Sequence, residues 1–529
     1  KRYALRDFLK NNFITAEPNE AMRWHWTAKM LNDSSLIARE SKNFVPTPQL
    51  FQEDQQPSYP GAILAVNRTP TSNNILISNG YRFPIELLEQ NKKGEWINVT
   101  KTAQLDSIPG GDKIYAIDIN NNGFQDILIL RNLTSSNNYL FPSLLINQGD
   151  GTYKDMSKEA GFDTPQRSTC ACFIDANEDG QLDIFLGNEK YPSLLFIQQE
   201  DGSFKESAKS YGLVTHPHNI VDCAVYDINQ DGKNDLLLSS YHYTNFSYIF
   251  KNINNQYPFF INTTNDTKYF NPYKGGKYFI GDFNGDQSIE IISNTDHSLF
   301  DKNVVFNILS GTSGSDEYPA MWQLDKFNKA NMVEQHPLLT YARAAVNIDL
   351  GENRPYILFG GGRQLDELYP TTFYQFKDNH YFFELLSLKD QPLMINSMTV
   401  TPSPKTQQPV IWIKGGFPNS ILKNKIATYS QTTQGGNFFT IRLHGQDRKD
   451  GLGALITVVT VDKNGKETRR TRLIQAVSSD GKGAGQDIWF LAHESTIKEI
   501  IVKWPNRKQQ HFQKVNLKRK RMQIDLVAD

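Results

Sequence analysis

A short acidic loop recurs four times between residues 118 and 290, and this recurrence constrains the fold more than any other feature of the chain. Each loop carries oxygen-bearing side chains at offsets 0, 2, 4 and 8 from its first residue. The loops begin at Asp118, Asp175, Asp227 and Asp282, so successive starts lie 57, 52 and 55 residues apart. Self-similarity at a period of this length is typical of propellers and solenoids. The loops therefore predict a repeat architecture.

A compact apolar run follows every loop, at residues 126–130, 183–186, 235–238 and 290–292. Continuous apolar runs of this length, bounded by turn residues, favour strands that are buried on both faces. Farther along, Asp-Gly pairs at Asp150-Gly151 and Asp201-Gly202 separate β-rich segments, which is a strong hairpin signal. Each period is therefore expected to hold about four strands.

The strand after the loop also serves as a ruler where the acidic residues are absent. It places further loop starts at Val66, Asn347 and Thr401, which gives seven units with a period of 52 to 65 residues. Radial repetition of four-stranded sheets leaves only short, protected edges. The prediction is an all-β protein built on a seven-bladed β-propeller.

The spacing within the loops is that of a calcium site. Calcium takes about six to eight oxygen ligands, and a short loop supplies them when alternate side chains converge around a tight turn. Offsets 0, 2, 4 and 8 provide side chains, offset 6 a backbone carbonyl, and a glycine at offset 5 the turn. The predicted ligands are Asp118, Asn120, Asn122, Phe124 and Asp126; Asp175, Asn177, Asp179, Gln181 and Asp183; Asp227, Asn229, Asp231, Lys233 and Asp235; and Asp282, Asn284, Asp286, Ser288 and Glu290.

The four loops differ in strength. The loops at 175 and 227 each have three carboxylates and the glycine, Gly180 or Gly232. The loop at 118 has a glycine but only two carboxylates, and the loop at 282 has Gln287 in the glycine position. The alternative interpretation is that the loops are polar turns without a metal. Bound ions are expected to neutralise clustered acids and fix a turn within one blade, so their role is structural.

Residues 175–183 and 227–235 match the pattern Asp-x-Asp/Asn-x-Asp-Gly-x-x-Asp followed by an apolar strand. In this the chain resembles the FG-GAP/VCBS repeat proteins, over roughly residues 56–430. Residues 436–512 look like the ASPIC/UnbV domain that follows such propellers in cartilage acidic protein-like proteins, with a strand at 455–461 and a turn at 462–465. The resemblance implies calcium-bearing blades at 56–430 and a small β-rich domain at 431–529.

Residues 1–55 lie outside the resemblance. Patchy helical periodicity at 4–11 and 19–40, ended by Pro46 and Pro48, predicts a helical extension packed on the propeller. A cleaved or partner-binding arm is the alternative. The Trp24-His25-Trp26 cluster is interpreted as a helix anchor, with a sugar or partner site as the alternative.

The three cysteines, Cys170, Cys172 and Cys223, fall just before the acidic loops of adjacent units, as do His216 and His218. Small cysteines commonly fill interfaces as hydrophobes, so buried free thiols are the favoured interpretation. Because Cys223 has the opposite strand parity to the other two, a disulfide from it to Cys170 or Cys172 is an alternative. A thiolate and imidazole metal site is the third.

Composition, charge and the absence of certain motifs limit the classes of function that the sequence supports. With 56 basic and 57 acidic residues the net charge is −1, which disfavours nucleic acid as a partner, and the basic cluster at 518–521 is read as a solvated strand face. The sequence has no run of about 18 apolar residues, so no membrane-spanning helix is predicted. The chain starts at Lys1, which fits removal of a leader or trimming. No phosphate loop, nucleophile elbow or zinc-protease helix is present in the sequence, and no catalytic carboxylate pair can be nominated.

The leading hypothesis is a non-enzymatic calcium-binding propeller that is exported to the periplasm, cell surface or medium and acts as an interaction or adhesion module. Its partner would be a protein or a glycan. One alternative is a glycan-binding or enzymatic protein that uses the central funnel near His216 and His218. Another is a structural subunit of a larger assembly. Fold resemblance alone does not decide among these.

Overall fold

The computed structural model is all-β throughout the residues that it describes. It describes residues 39–40, 44–46, 61–69, 72–132, 141–162, 167–189, 191–213, 220–227, 233–240, 247–252, 260–262, 277–283, 287, 289–294, 306–308, 320–324, 330–335, 344–349, 356–360, 363–364, 367–368, 371–377, 380–386, 395–403, 408–415, 425–431, 437–445, 450–483, 487–492, 496–505, 508–513 and 523–527. Within these ranges there is no helix, and therefore none that is long and apolar enough to cross a membrane.

Two short strands precede a series of antiparallel sheets. They are β1 (Arg39–Glu40) and β2 (Phe44–Pro46). The first sheet contains β3 (Ala62–Val66), β4 (Asn74–Ser78), β5 (Glu86–Gln90) and β6 (Trp96–Asn98). The second contains β7 (Lys113–Ile117), β8 (Asp126–Leu130), β9 (Ser143–Asn147) and β10 (Tyr153–Asp155). The third contains β11 (Ser168–Ile174), β12 (Asp183–Asn188), β13 (Leu194–Gln198) and β14 (Phe204–Glu206).

The series continues with sheets of the same kind. The fourth contains β15 (Ile220–Tyr226), β16 (Asp235–Ser240), β17 (Ser247–Asn252) and β18 (Phe260–Asn262). The fifth contains β19 (Tyr278–Gly281), β20 (Glu290–Asn294), β21 (Phe306–Ile308), β22 (Ala320–Leu324) and β23 (Ala330–Gln335). The sixth contains β24 (Ala345–Ile348) and β25 (Tyr356–Phe359), then, beyond the separate hairpin β26 (Arg363–Gln364) and β27 (Glu367–Leu368), β28 (Thr372–Lys377) and β29 (His380–Leu385). The next contains β30 (Ile395–Pro402), β31 (Pro409–Gly415) and β32 (Lys425–Gln431).

The C-terminal part forms two further sheets around a core of its own, which includes Phe439, Val458 and Phe490. Its strands are β33 (Asn437–His444), β34 (Leu455–Val461), β35 (Glu467–Leu473), β36 (Val477–Ser478), β37 (Asp487–Ala492), β38 (Thr496–Lys503), β39 (Gln509–Gln513) and β40 (Gln523–Val527). One sheet has the order β37-β33-β40 and the other β35-β34-β38-β39. The exception is β36, which pairs with β7 of the second sheet.

The N-terminal strands complete sheets at the far end of the series. β1 pairs in parallel with β29, and β2 pairs antiparallel with β32 as the fourth strand of the last sheet. The predicted helical extension is therefore wrong at Arg39–Glu40, where the unpaired edge of a sheet supplies backbone partners that override a patchy helical pattern. The other residues of the predicted helices, and the Trp24-His25-Trp26 cluster, lie outside the described ranges.

The first strands of the sheets contact one another in order. β3 contacts β7, β7 contacts β11, β11 contacts β15, β15 contacts β19, β24 contacts β30, and β30 contacts β3. Between the fifth and sixth sheets, the rings of Phe279 and Phe359 meet edge to face with centroids 5.7 Å apart. Successive antiparallel sheets arranged around their first strands are the architecture of a β-propeller.

The side chains of residues 290–292 lie outside the description, but the apolar runs after the other three acidic loops are buried strands, as predicted. All residues of β8 and β12 are buried, as are residues 235–239 of β16, and β4 in a unit without acids is buried likewise. Their side chains point alternately into the two interfaces with neighbouring sheets. One core cluster thus joins Leu76 of the first sheet to Ile114 of the second, and another joins Leu128 of the second to Phe173 of the third.

The frame extended by the strand ruler is shifted in the units that lack acids. Val66, Asn347 and Thr401 are strand residues, in β3, β24 and β30, rather than loop starts. Where the acids are retained, the first strand ends at Ile117 or Ile174, just before the loop. The ruler failed because the connection between first and second strands varies in length.

Candidate functional site

The loop at 175 is held by its own carboxylates. Asp175 accepts the backbone N–H of Asp179 on Oδ1 at 3.1 Å and that of Gly180 on Oδ2 at 2.9 Å. Asp179 Oδ1 accepts the N–H of Gln181 at 2.8 Å. Gly180 has a φ of +86°, a backbone conformation for which glycine is suited. The side chains at offsets 0 and 4 therefore hydrogen-bond to the backbone of the loop, although Asp179 stays exposed to solvent.

The last carboxylate of this loop is buried at the start of the next strand. Asp183, the first residue of β12, accepts the N–H groups of Ala176 and Gln198, each at 2.8 Å. Burial raises the pKa of Asp183 to about 7, aided by the negative charges of Asp175 and Asp179 and opposed by the two hydrogen bonds. A divalent cation beside these oxygens would offset that mutual repulsion.

The loop at 118 has the same internal geometry. Asp118 accepts the N–H of Asn122 on Oδ1 at 2.9 Å and that of Gly123 on Oδ2 at 2.8 Å, while Asn122 Oδ1 accepts the N–H of Phe124 at 2.8 Å. Burial raises the pKa of Asp126 well above its ordinary value. The repeat of this arrangement, 57 residues apart in sequence, matches the predicted frame.

The other two loops are only partly described. Asp227, Lys233 and Asp235 are described, and Lys233 pairs with Glu178 of the neighbouring loop, whereas Asn229 and Asp231 lie outside the described residues. At 282, Asp282 accepts the N–H of Gln287 at 3.0 Å, and Gln287 adopts a φ of +76° in place of glycine. Asn284, Asp286 and Ser288 are outside the description, as is the side chain of Glu290.

All predicted ligands offer oxygen, the donor that calcium prefers, so the donor set fits this metal. Considering only histidine, cysteine, aspartate and glutamate side chains of the described residues, no group of three or more converges as a metal site. The predicted set at 175 also includes the side chain of Asn177 and the backbone carbonyl of Gln181, which are not among these four kinds of side chain. Calcium at these loops stays a prediction.

Two of the three cysteines are joined. Cys170 on β11 and Cys223 on β15 form a disulfide with Cα atoms 5.9 Å apart, so the first strands of two neighbouring sheets are covalently linked. The prediction of buried thiols is wrong for this pair and confirmed for Cys172, which is free and buried, with its pKa raised to about 12 by burial. Both histidines proposed as metal ligands, His216 and His218, lie outside the described residues.

A segment of the C-terminal domain reaches the inner edge of the second sheet. We call residues 475–483 the channel segment. Its strand β36 pairs with β7, with Val477 opposite Ala116 and Ser478 opposite Tyr115. Ser479 then donates its N–H to the Ile114 carbonyl at 2.8 Å and accepts the Ile114 N–H on Oγ at 3.0 Å.

The channel segment also binds the first strands of two other sheets. The carbonyl of Asp480 accepts the N–H of Ala345 on β24 at 2.8 Å. The carbonyl of Ser479 accepts the N–H of Met398 on β30 at 3.1 Å and the hydroxyl of Ser397. The segment therefore occupies part of the centre around which the first strands are arranged.

Five charged side chains meet at the tip of this segment. Lys113 Nζ on β7 lies 2.9 Å from Asp480 Oδ2 and 3.3 Å from Asp222 Oδ1 on β15. Lys277 Nζ, just before β19, lies 3.4 Å from Asp480 and 3.6 Å from Asp222. Lys482 of the channel segment pairs with Asp222. We call Lys113, Asp222, Lys277, Asp480 and Lys482 the channel charge cluster.

The cluster is largely withdrawn from water. The side chains of Asp222 and Lys113 are 0% and 8% exposed. Burial alone would raise the pKa of Asp480, but Lys113, Lys482 and Lys277 hold it well below its ordinary value. Burial, followed by repulsion from Lys113, lowers the pKa of Lys277 to about 8. Charges buried in this way stabilise a structure only when each keeps its partners.

The sequence contained a signal for three of the five residues of this cluster. Lys113, Asp222 and Lys277 each stand five residues before an acidic loop, as does Cys170, so one frame position repeatedly places a non-apolar or reactive side chain at the start of an apolar strand. Their partner Asp480 is 203 residues from Lys277 and follows no repeat, so the sequence offered no way to pair them.

A cavity of ≈ 980 Å³ is lined by residues of the first strands β3, β7, β11, β15, β19, β24 and β30, by the channel segment and by the C-terminal domain. Its lining includes Tyr226, Phe283 and Asp349 from the sheets and Trp489 and Trp504 from the C-terminal domain. Cavities of this size at a boundary between domains are common ligand sites.

A buried ion pair closes one side of the boundary. Asp349 follows β24, in the position that Asp118 holds after β7, and both of its oxygens lie 2.8 Å from Nη1 of Arg470. The Arg470 side chain is 1% exposed, and its guanidinium lies 5.7 Å from the centre of the Phe490 ring. An acid at a loop start is thus used to hold the C-terminal domain.

Comparison with known proteins gives one family match. The family described as FG-GAP-like repeat matches residues 118–186 and 175–238, which confirms that part of the resemblance. Over 138 residues the chain is 30% identical to cartilage acidic protein 1 of Xenopus tropicalis, a match that covers 25% of this chain and 20% of that protein. The ASPIC/UnbV assignment of the C-terminal domain stays a prediction.

Solved structures similar to this chain include one that is described as a propeller. A structure of BBS1N in complex with ARL6DN has a TM-score of 0.39 and 7% identity, and the match covers 75% of this chain and 98% of that chain. The Dos1 propeller has a TM-score of 0.35 and 8% identity, over 68% of this chain and 75% of that chain.

Proposed function

We propose that the protein is a calcium-binding, seven-bladed β-propeller that is exported and acts as a non-enzymatic interaction module. The seven blades would be the sheets that begin with β3, β7, β11, β15, β19, β24 and β30. The ordered contacts of their first strands support one closed ring, as does the Phe279–Phe359 contact between the fifth and sixth. The N-terminal strand β2 would complete the seventh blade.

Calcium would be held by the loops at 118, 175, 227 and 282. At 175 the ligands would be the side chains of Asp175, Asn177, Asp179 and Asp183 with the carbonyl of Gln181. When bound, the ion would neutralise the acids and fix the turn between two strands. The inward-turned carboxylates of Asp175 and Asp118 support this, because their backbone hydrogen bonds shape the loop around an oxygen-lined interior.

The observation that carries the interaction role is the channel segment, which takes up part of the centre of the ring beside the cavity. Enzymes and small-ligand proteins built on propellers can use the central channel, but here the channel segment hydrogen-bonds to β7, β24 and β30 in that position. Recognition would then fall to the loops and outer edges, where a protein partner has room for the extended surface that specific association requires.

Export is supported by the Cys170–Cys223 disulfide, since such bonds persist in oxidising compartments. The test of the whole proposal is co-purification from the native source with tagged full-length protein, in calcium and after chelation. A specific partner that is retained in calcium and lost on chelation supports the proposal. Recovery of no partner above a tagged control, in both conditions and from both membrane and soluble fractions, contradicts it.

A second candidate function is favoured by the cavity beneath the C-terminal domain. Trp489 and Trp504 line it together with Asp349 and Arg472. Aromatic faces combined with hydrogen-bonding groups suit a glycan. Binding on a glycan array that is lost in Trp489→Ala and kept in Trp96→Ala, which changes a tryptophan outside the cavity, would support this function. Equal binding by both variants would count against it.

A further inference from the structure

The channel segment makes contacts with the first strands of several sheets at once. Main-chain hydrogen bonds reach β7, β24 and β30 through Ser479 and Asp480. Ion pairs reach Asp222 on β15 and Lys277 beside β19. Lys482 also lies 5.8 Å from the centre of the Phe279 ring on β19. Five sheets therefore share one short segment as a common neighbour.

The fit of the segment is sterically tight. Gly481 has a φ of +85°, and a Cβ added there would lie 2.0 Å from the carbonyl oxygen of Ala345. A Cβ at Gly483 would lie 2.1 Å from the carbonyl oxygen of Ala476. Real side chains do not tolerate such distances, so the backbone passes here only because these residues are glycines.

The segment is distinct from the core of its own domain. The C-terminal core is built from residues such as Phe439, Ile456, Phe490 and Val502, and the described hydrophobic residues of that core include none from 475–483. Val477 packs instead with the core shared by the first and second sheets, and Ala476 with that of the second and third. The C-terminal domain therefore has its own hydrophobic support, while the segment depends on the ring.

We propose that the channel segment is a hub that holds the ring closed, so that its docking couples the C-terminal domain to the inner strands of separate sheets. Without the segment, the N–H groups of Ile114, Ala345 and Met398 lose their acceptors together. Lys113 and Lys277 lose one of the two carboxylates that they share. Leaving buried charges and backbone groups without partners costs free energy. These strands are therefore expected to stay well ordered only while the segment is docked.

This inference goes beyond the proposed function and does not require calcium or a partner. Hydrogen exchange of the full-length protein, followed by mass spectrometry, tests it. Gly481→Ala is expected to displace the segment and to speed exchange in β7, β24 and β30 together by about tenfold or more, because local opening sets exchange rates. Gly202→Ala is the matched control, since Gly202 has a φ of +79° but nothing within 4 Å of an added Cβ.

Asp480→Asn provides a second variant that introduces no added bulk and removes only the charge. It is expected to speed exchange in the same three strands, to a smaller extent, and it keeps the test decisive if Gly481→Ala fails to fold. Faster exchange confined to residues 475–483 in both variants, or in Asp480→Asn alone where the other does not fold, would overturn the proposal. Faster exchange in the same strands of Gly202→Ala would overturn it as well.

Discussion

Asp480 Oδ2 lies 2.9 Å from Lys113 Nζ, and this ion pair joins the C-terminal domain to the first strand of the second sheet. Each of the two groups has a second ion-pair partner, because Lys113 also contacts Asp222 and Asp480 also contacts Lys277. The relationship makes the two parts of the chain one electrostatic unit, although their hydrophobic cores are separate.

The pH dependence of stability should carry the signature of Lys277. Its pKa in the folded protein is about 8, below its ordinary value of 10.5, so between these values the unfolded chain binds more protons. Stability should therefore rise with pH from about 8 toward 10 through this group. Lys113, Lys482, Asp222 and Asp480 are the charged groups that face it. Thermal melts of the wild type and Lys277→Met at pH 7 to 10 check this.

The difference between the two proteins isolates the lysine from other titrations. Lys277→Met should be relatively more stable at pH 7 than at pH 10. At low pH the depressed pKa values of Asp222 and Asp480 act in both proteins, and their stabilisation is lost as pH falls below about 4. Parallel melting curves across pH 7 to 10 would contradict the assignment.

Breaking the Arg470–Asp349 pair should be strongly destabilising. Asp349→Asn leaves a guanidinium that is 1% exposed without its counter-charge, which typically costs about 3–5 kcal/mol. The matched control is Glu467→Gln, which breaks an exposed pair with Lys498 in the same domain and should leave stability unchanged within error. Urea unfolding measures both. Equal effects of the two substitutions would show that the buried pair contributes no more to stability than the exposed pair.

Reduction of the Cys170–Cys223 disulfide should cost about 2–4 kcal/mol of unfolding free energy. The doubly substituted Cys170→Ser, Cys223→Ser protein should match the reduced wild type in denaturant unfolding. Cys172→Ala serves as the control, since this free thiol adds no cross-link and the variant should still respond to reductant. If the wild type unfolds at the same denaturant concentration with and without reductant, the disulfide does not contribute to the free energy of unfolding.

Calcium removal should lower stability if the loops are filled. At free calcium of about a hundred times Kd, each intact site contributes about 3 kcal/mol by mass action. Asp179→Asn should reduce the calcium-dependent shift in melting temperature. Asp201→Asn should preserve it, because Asp201 belongs to a hairpin turn outside the loops and accepts hydrogen bonds from Ser203. An unchanged melting curve after exhaustive chelation would contradict the proposal that bound calcium stabilises the fold.

Local patterns predicted the strands well. The runs that contain Ile127 and Ile184 became fully buried strands because both faces of each meet a neighbouring sheet. The turn at Asp118 also formed as expected, since its hydrogen bonds are made within six residues. In both cases the deciding contacts are either local or repeat with the period of the chain.

Apart from the shifted starts at Val66, Asn347 and Thr401, the failures are non-local. Arg39–Glu40 became a strand because β29 offered an open edge far along the chain. Cys170 met Cys223 because two first strands lie side by side, which parity allowed but could not select. Asp480 belongs to no repeat, and only the folded structure shows that its chain enters the ring.

Pairing of β2 with β32 has a consequence for biosynthesis. Pro46 is opposite Tyr429, so the earlier strand leaves the ribosome long before its partner is made. At roughly 5–20 residues per second, that interval lasts tens of seconds. During this time an unpaired strand must be kept from associating with other chains, and the sheet that contains it becomes complete only after residues 425–431 have been translated.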